Sequence, residues 1–403
     1  MLTHLAGPYV VGIDAGGTKT RCVVLTLGGA LAGSGTGPGA NPNSGGDTAG
    51  ALTTALREAL GDLDRTHILT GVFGIAGAGS AGRPAAVAAA RQAWQAAGLR
   101  GSPAVVTDIA VAFAAGTSEP KGIVVFSGTG AGAAVISDGT IVQRADGYGW
   151  LVGDEGSAVW LGKEAVRAAL AAYDGRGSPT LLTDSVPRAL LGATVVAEID
   201  SERRRPRHPR APAMAGASSA PGASVLAQSA TLSAGGGSPG TATAVLISET
   251  PCPPPGNGPA PPSGTSPPGS HAPPRRPEVA GAPPDPRLAQ AIIKEVYGRP
   301  PSALGRLGPV VAAAAAAGDP VARRITEEAA QWLLRDVDAV RPALSDPRAP
   351  VVMHGSVLRE GPVADAVRTG LRDRFAAAPR CAGDGAVGAA GMALRRLGHP
   401  LPG

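Results

Sequence analysis

Two glycine-rich stretches have the residue types that bind phosphate. They are Asp14-Ala15-Gly16-Gly17-Thr18-Lys19-Thr20 and Ser127-Gly128-Thr129-Gly130. Successive backbone N–H groups in such a turn converge on an anion, and the missing Cβ lets the chain approach it closely. Thr18 and Lys19 add side-chain donors to the first turn, and Thr129 adds one to the second. Asp14, at a strand end, is placed to hold Mg²⁺ through water. Neither stretch is a Walker A loop, because Gly-x4-Gly-Lys-Ser/Thr is absent. Neither is a dinucleotide fingerprint, because no third glycine opens a helix. The alternative for each alone is an ordinary hairpin turn. Their recurrence favours a pair of phosphate loops that clamp a triphosphate between them.

The elements that carry these turns follow from periodicity. Strands are expected at 9–13, running into the first turn, and at 20–26, with Gly28-Gly29 as a hairpin turn. A helix at 47–60, a strand at 68–75 and a helix at 84–97 follow. A short strand at 104–107 runs straight into Asp108 and a helix at 109–115, so that Asp108 reads locally either as an N-cap or as a carboxylate placed for proton transfer. A second cycle starts at Gly122. It has a strand at 123–126, the second glycine turn, and a hairpin of 133–136 with 141–143. Strand, glycine turn, strand and hairpin turn thus occur twice, as an internal repeat. Gly153-Asp154-Glu155-Gly156-Ser157 opens a helix to about Ala172, with Ser157 as its cap. Later helices are expected at 287–297, 309–317, 320–344, 362–375 and 384–397, and a strand at 351–353.

Segment 201–285 differs in kind. Pro, Gly, Ser and Ala dominate it, without periodicity, and it reads as a disordered insertion. Its basic run, Arg203 to Arg210, reads as a solvated stretch. The 403 residues suffice for two domain cores, built from small side chains, since aromatics are only 3%. The net charge is +5, but seven of the basic residues and only four acidic ones fall in the insertion. The rest is nearly neutral and lacks a basic face interleaved with aromatics, so no nucleic-acid partner is expected. Cys22, Cys252 and Cys381 fit neither a disulfide framework nor a metal knuckle, which suits a reducing cytoplasm. No signal peptide or membrane-spanning run is expected, so neither is a membrane partner.

Taken together, a set of short motifs resembles the N-acetylglucosamine kinase branch of the BadF/BadG/BcrA/BcrD ATPase family, within the actin, heat-shock-chaperone and sugar-kinase superfamily. The motifs are Gly12 to Thr20, Gly39-Ala40-Asn41, Gly74 to Gly77, Asp108, Ser127 to Gly130, Gly147 to Trp150, Gly153 to Ser157 and Gly355-Ser356-Val357. The resemblance implies an α/β fold of two actin-like (ribonuclease H-like) ATPase domains, with mixed five-stranded sheets around a central cleft. It implies ATP and Mg²⁺, with Gly16, Gly17, Thr18, Lys19, Gly128, Thr129, Gly130, Gly355 and Ser356 on the nucleotide and Asp14 on the metal. Asp108 would be the catalytic base and would also touch the sugar, alongside Asn41, Gly147, Trp150 and Asp154. Two departures stand out. Thr107 replaces the usual Asn before the base, and His354 replaces the first glycine of Gly-Gly-Ser.

The expected domains are 1–118, then 119–200 with 286–384, with 201–285 inserted and 385–403 a C-terminal helix packing back on the first domain. The expected activity is phosphorylation of an amino sugar, N-acetylglucosamine to its 6-phosphate. A glucosamine kinase and a non-catalytic nucleotide sensor or scaffold are the alternatives. An activating ATPase with an iron–sulfur cluster is disfavoured by the scattered cysteines. A homodimer is the default assembly.

Overall fold

A computed structural model describes residues 7–42, 46–79, 81–204, 286–344, 346 and 348–399. The expected insertion lies outside the described residues, apart from four residues that end a helix.

The first half holds β1 (Tyr9–Ala15), β2 (Lys19–Thr26), β3 (Leu31–Pro38), α1 (Thr48–Leu60), β4 (Ile68–Ile75), α2 (Arg83–Ala96), β5 (Ala104–Thr107) and α3 (Asp108–Ala114). Its sheet has the order β3-β2-β1-β4-β5. β1 to β3 form an antiparallel meander, while β4 and β5 run parallel to β1. The register sets Ala15 level with Ile75, and Ile75 level with Thr107. Gly16, Ala76 and Asp108 therefore leave the sheet at one edge. Carboxyl-terminal strand edges are where open α/β sheets place ligands.

The second half repeats the plan with β6 (Lys121–Ser127), β7 (Ala131–Ser137) and β8 (Thr140–Asp146). Helices α4 (Ala158–Tyr173), α5 (Leu182–Leu191), α6 (Ala193–Arg204), α7 (Pro286–Tyr297), α8 (Gly308–Ala316) and α9 (Pro320–Val340) follow. β9 (Val351–His354), α10 (Pro362–Arg372), β10 (Arg380–Cys381) and α11 (Gly385–Arg396) complete it. The order is β10-β9-β6-β7-β8, with Phe126 level with His354, so Ser127 and Gly355 share an edge. Helices α4, α5, α8, α9 and α10 share one apolar core with β6, β7 and β9.

Two helices fill the space beside the first sheet. Ala110, Val111 and Ala114 of α3 pack with α11 on β1, β2 and β4. Ile109 and Phe113, on the other side of α3, pack on β6, β7 and β9. α3 is thus sandwiched between the two sheets. α11 is rich in Ala and Gly because it lies close: a Cβ on Gly12 of β1 would sit 2.1 Å from the Ala386 carbonyl, and one on Gly388 2.4 Å from that of Val111.

The structure adds elements that the pattern does not announce. β3 carries Gly33, Gly35 and Gly37, poor strand formers by propensity. A Cβ at each would strike the carbonyl of Ala59, Ala55 or Ala51, within 2.5 Å. The glycines are there because α1 lies directly on the strand. α5 contains Pro187 and ends at Gly192, two features that disguise a helix. α9 ends at Val340, short of the expected 344, because Arg341-Pro342-Ala343 tightens into a 3-10 turn. α10 ends at Arg372 rather than 375.

Candidate active site

The first glycine turn is closed by its own neighbourhood. The Gly16 N–H donates to the Lys19 carbonyl (3.0 Å), and the Ala40 N–H to the Gly16 carbonyl (3.0 Å). A Cβ on Gly39 would lie 2.2 Å from the Gly17 carbonyl, so Gly39-Ala40-Asn41 is pressed onto the turn and half-buried Asn41 follows at once. Gly17, Thr18 and Lys19 are exposed. Gly17 has neither a positive φ nor a protein atom within 4 Å of where its Cβ would be. Packing does not require glycine there.

Asp14 sits under this turn. The N-terminus of α11 is packed onto its carboxyl: a Cβ on Gly385 would be 2.3 Å from its Oδ2. Burial, then the charges of Asp108 and Asp384, push the Asp14 carboxyl up to about 7, while Lys19 acts against them. Asp384 caps α11 by accepting from the Ala386 N–H (2.9 Å) and pairs with Arg21. A carboxylate crowded by two others is one that a cation relieves. Among the described residues no three side chains form a metal cage. Mg²⁺ fits this pattern, because beside nucleotides it takes one or two carboxylates and fills its shell with phosphate and water.

Asp108 is the first residue of α3, but it is not the cap. Thr107 takes that role, its Oγ1 accepting from the Ala110 N–H (3.3 Å). The Asp108 carboxylate, not spent on the Ala110 N–H, lies at the edge it shares with the first turn. Burial raises its affinity for a proton; the first N–H groups of α3 and the Arg144 guanidinium oppose this.

The second turn is braced from outside. The Gly128 N–H closes it onto the Gly130 carbonyl (2.9 Å). Buried Ser127 donates from Oγ to the Gly156 carbonyl (2.8 Å), and the Ala158 N–H, entering α4, donates to the Gly128 carbonyl (2.8 Å). Gly355 has φ 102°, and a Cβ there would lie 2.1 Å from the Ser127 carbonyl. The Gly355-Ser356 turn is thus built against the second loop. Thr129 is exposed, and Gly128, like Gly17, faces open space. Half-buried His354 next door is pushed below the ordinary histidine range by burial and by Arg359, so it is neutral near pH 7.

Asp154 is buried in the left-handed region (φ 57°), and its Oδ1 accepts from the Ala131 N–H (3.2 Å). It lies outside α4, whose cap is Ser157, so it is not a helix-start acid. Its direct tie is to the start of β7, just after the second turn. Burial raises its proton affinity, and Arg144 lowers it, as it does for Asp108. One guanidinium therefore biases both carboxylates. Gly147 (φ 76°) opens a loop on which Trp150 remains 43% exposed, so Trp150 is not core packing. Arg144 and Asp146 were not singled out in the sequence. A charged residue on each side of Ala145, just before Gly147, was the available signal.

The doubled sheet, with a glycine turn at the head of each half, is the two-domain fold of actin-like ATPases and sugar kinases. The chain belongs to the BadF/BadG/BcrA/BcrD ATPase family, whose model matches residues 11–393. An N-acetylmuramic acid/N-acetylglucosamine kinase of Clostridium acetobutylicum is 32% identical over 180 residues. That match covers 44% of this chain and 58% of the relative, so the chain spans little more than half the length of the curated relative. Among solved structures, a proposed N-acetylglucosamine kinase of Porphyromonas gingivalis matches with TM-score 0.59 at 16% identity, covering 96% of this chain and 99% of that one. One from Chromobacterium violaceum matches with TM-score 0.55 at 20% identity, covering 96% and 98%. These two show the shared fold. No helix among the described residues is long and apolar enough to cross a membrane.

Proposed function

We propose that this chain is an ATP-dependent sugar kinase that phosphorylates an amino sugar, with N-acetylglucosamine as acceptor and its 6-phosphate as product. The observation that carries the reading is Asp108. It sits at the sheet edge below the first glycine turn, and Thr107 has relieved it of capping. A base must be free to accept the proton of an attacking hydroxyl and must stay ionised although buried. The N-terminus of α3 and Arg144 supply the positive potential that serves this.

The other roles follow the geometry. Gly16, Gly17, Thr18 and Lys19 take one side of the triphosphate and Gly128, Thr129 and Gly130 the other. Open space at Gly17 and Gly128 supports this. Gly355 and Ser356 border the nucleoside end. Asp14 holds Mg²⁺, which neutralises charge on the phosphates. Asn41, Asp154, Gly147 and Trp150 line the acceptor side with Asp108. Residues 1–118 act as one lobe, and 119–200 with 286–384 as the other, with α11 tying the second back to the first. The Clostridium relative supports a sugar acceptor and, by its name, adds N-acetylmuramic acid as a candidate.

ADP release should be measured with N-acetylglucosamine, glucosamine, N-acetylmuramic acid and no sugar. The proposal expects release that depends on the sugar and is fastest with N-acetylglucosamine. Equal release in every arm sinks the kinase reading and leaves a nucleotide-binding sensor. Preference for glucosamine corrects the acceptor only.

A further inference from the structure

Between β8 and α4 the chain passes through a loop whose shape depends on two side chains. Asp146 ends β8 in the left-handed region, with φ 58°. Its Oδ1 accepts from the Asp154 N–H (2.9 Å) and, at longer range, from the Tyr148 N–H (3.4 Å). Its Oδ2 accepts from the Glu155 N–H (3.0 Å). Arg144 closes the base of the loop, donating from Nε to the Asp146 carbonyl (2.8 Å) and from Nη2 to the Gly147 carbonyl.

The clamp leaves no spare room. A Cβ on Gly153 would lie 2.3 Å from Asp146 Oδ1, and one on Gly147 would run into the Arg144 guanidinium. The two glycines that bound the loop are thus dictated by these two side chains. Between them Tyr148, Trp150, Leu151 and Val152 are 72%, 43%, 74% and 73% exposed. Such a contiguous apolar row marks a contact surface rather than a random feature. The clamped residue, Asp154, in turn accepts from Ala131, the first residue of β7.

We infer that Asp146, assisted by Arg144, is a positioning residue that presets this loop for the acceptor. The fitting acceptor is a sugar with an apolar ring face or an acyl substituent, which Trp150 and Tyr148 cover. Its acceptor role rests on the kinase reading; the clamp itself does not. A loop already ordered by a carboxylate does not charge its ordering entropy to ligand binding.

Two variants separate the clamp from backbone strain. Asp146→Gly keeps the left-handed backbone easily and loses every carboxylate bond. Asp146→Asn also tolerates that region and keeps one acceptor oxygen. Amide hydrogen exchange is read at Tyr148, Asp154 and Glu155. It should quicken in Asp146→Gly and less in Asp146→Asn, with the centre of α4 unchanged. In phosphoryl transfer, the KM for the sugar should rise about tenfold in Asp146→Gly with the KM for MgATP within about twofold, and Asp146→Asn should fall between.

Unchanged exchange at the three amides overturns the clamp. Faster exchange with an unchanged sugar KM, or equal rises in both KM values, overturns the positioning role. A wild type without sugar-dependent turnover overturns the kinase reading and the acceptor role with it, while the exchange experiment still decides the clamp.

Discussion

The two glycine turns occupy equivalent places in the two halves, yet they are supported in different ways. The first is held by one backbone bond across its own hairpin, by the Ala40 N–H on the Gly16 carbonyl, and by the pressure of Gly39. It carries charge: Lys19 on the turn, Asp14 beneath it, and Asp108 and Asp384 close by. The second carries no charged side chain on the turn. It is held from outside by two distant segments: the entry to α4, through the Gly156 carbonyl and the Ala158 N–H, and Gly355. The two halves repeat one plan of strands, but the turns are closed differently, Gly16 onto Lys19 and Gly128 onto Gly130, and their surroundings differ. Charged side chains thus gather at the first turn, and neutral hydrogen bonds from distant residues at the second.

The sharpest way to break this contrast is at Asp108. Asp108→Asn should lower kcat by roughly 10² or more, in line with the loss of a general base, while MgATP binding stays near normal. Steady-state kinetics with a nucleotide-binding titration check it. Near-normal turnover would move the chemistry away from the first half.

Glycine-to-alanine changes come next. Gly355→Ala forces a side chain into the Ser127 carbonyl at a left-handed φ, so it should raise the KM for ATP and lower the melting temperature together. Gly17→Ala enters open space at an ordinary φ, so it should leave melting unchanged or slightly raised while still weakening ATP. A Gly17→Ala protein with normal ATP kinetics would mean that the open space is not nucleotide space.

Ser127→Ala tests the outside bracing alone. It leaves the Gly156 carbonyl buried without its partner and should cost about 1–3 kcal/mol in denaturant unfolding. A change within error would show that the second turn supports itself as the first does.

The smallest effect concerns Asp14 and pH. Its folded pKa, about 7, lies above the ordinary aspartate value of 3.8. From pH 4 to 7 the folded chain therefore binds more protons at this site than the unfolded chain, and stability falls as pH rises. Asp14→Asn lacks this loss, so the variant's melting advantage over wild type should grow across that window. MgATP should shrink it, because a cation stabilises the ionised carboxylate. A difference independent of pH would remove Asp14 from the charged cluster.

Much of this contrast was legible in the sequence, since glycine turns, strand ends and Asp108 are local signals. The pattern marks four strands of each sheet; the count of five is what the resemblance implies, and β3 and β10 supply it. What stayed hidden depends on distant partners. β3 looks like a loop because its glycines answer to α1, which lies on it only after folding. Thr107 and Asp108 compete for one cap, and only the backbone decides between them. Asp146 serves N–H groups two, eight and nine residues ahead, through a left-handed turn that no pattern marks in a residue other than glycine. Asp336 is similar: α9 brings it beside Asp146 and Glu155, burying one oxygen without a partner and pushing its carboxyl up to about 7.

The most direct test measures ADP and sugar phosphate together, with the wild-type protein, MgATP and N-acetylglucosamine. A sugar kinase releases the two products in equal amounts, and omitting the sugar abolishes nearly all ADP release. ADP that accumulates without a phosphosugar would contradict the kinase reading.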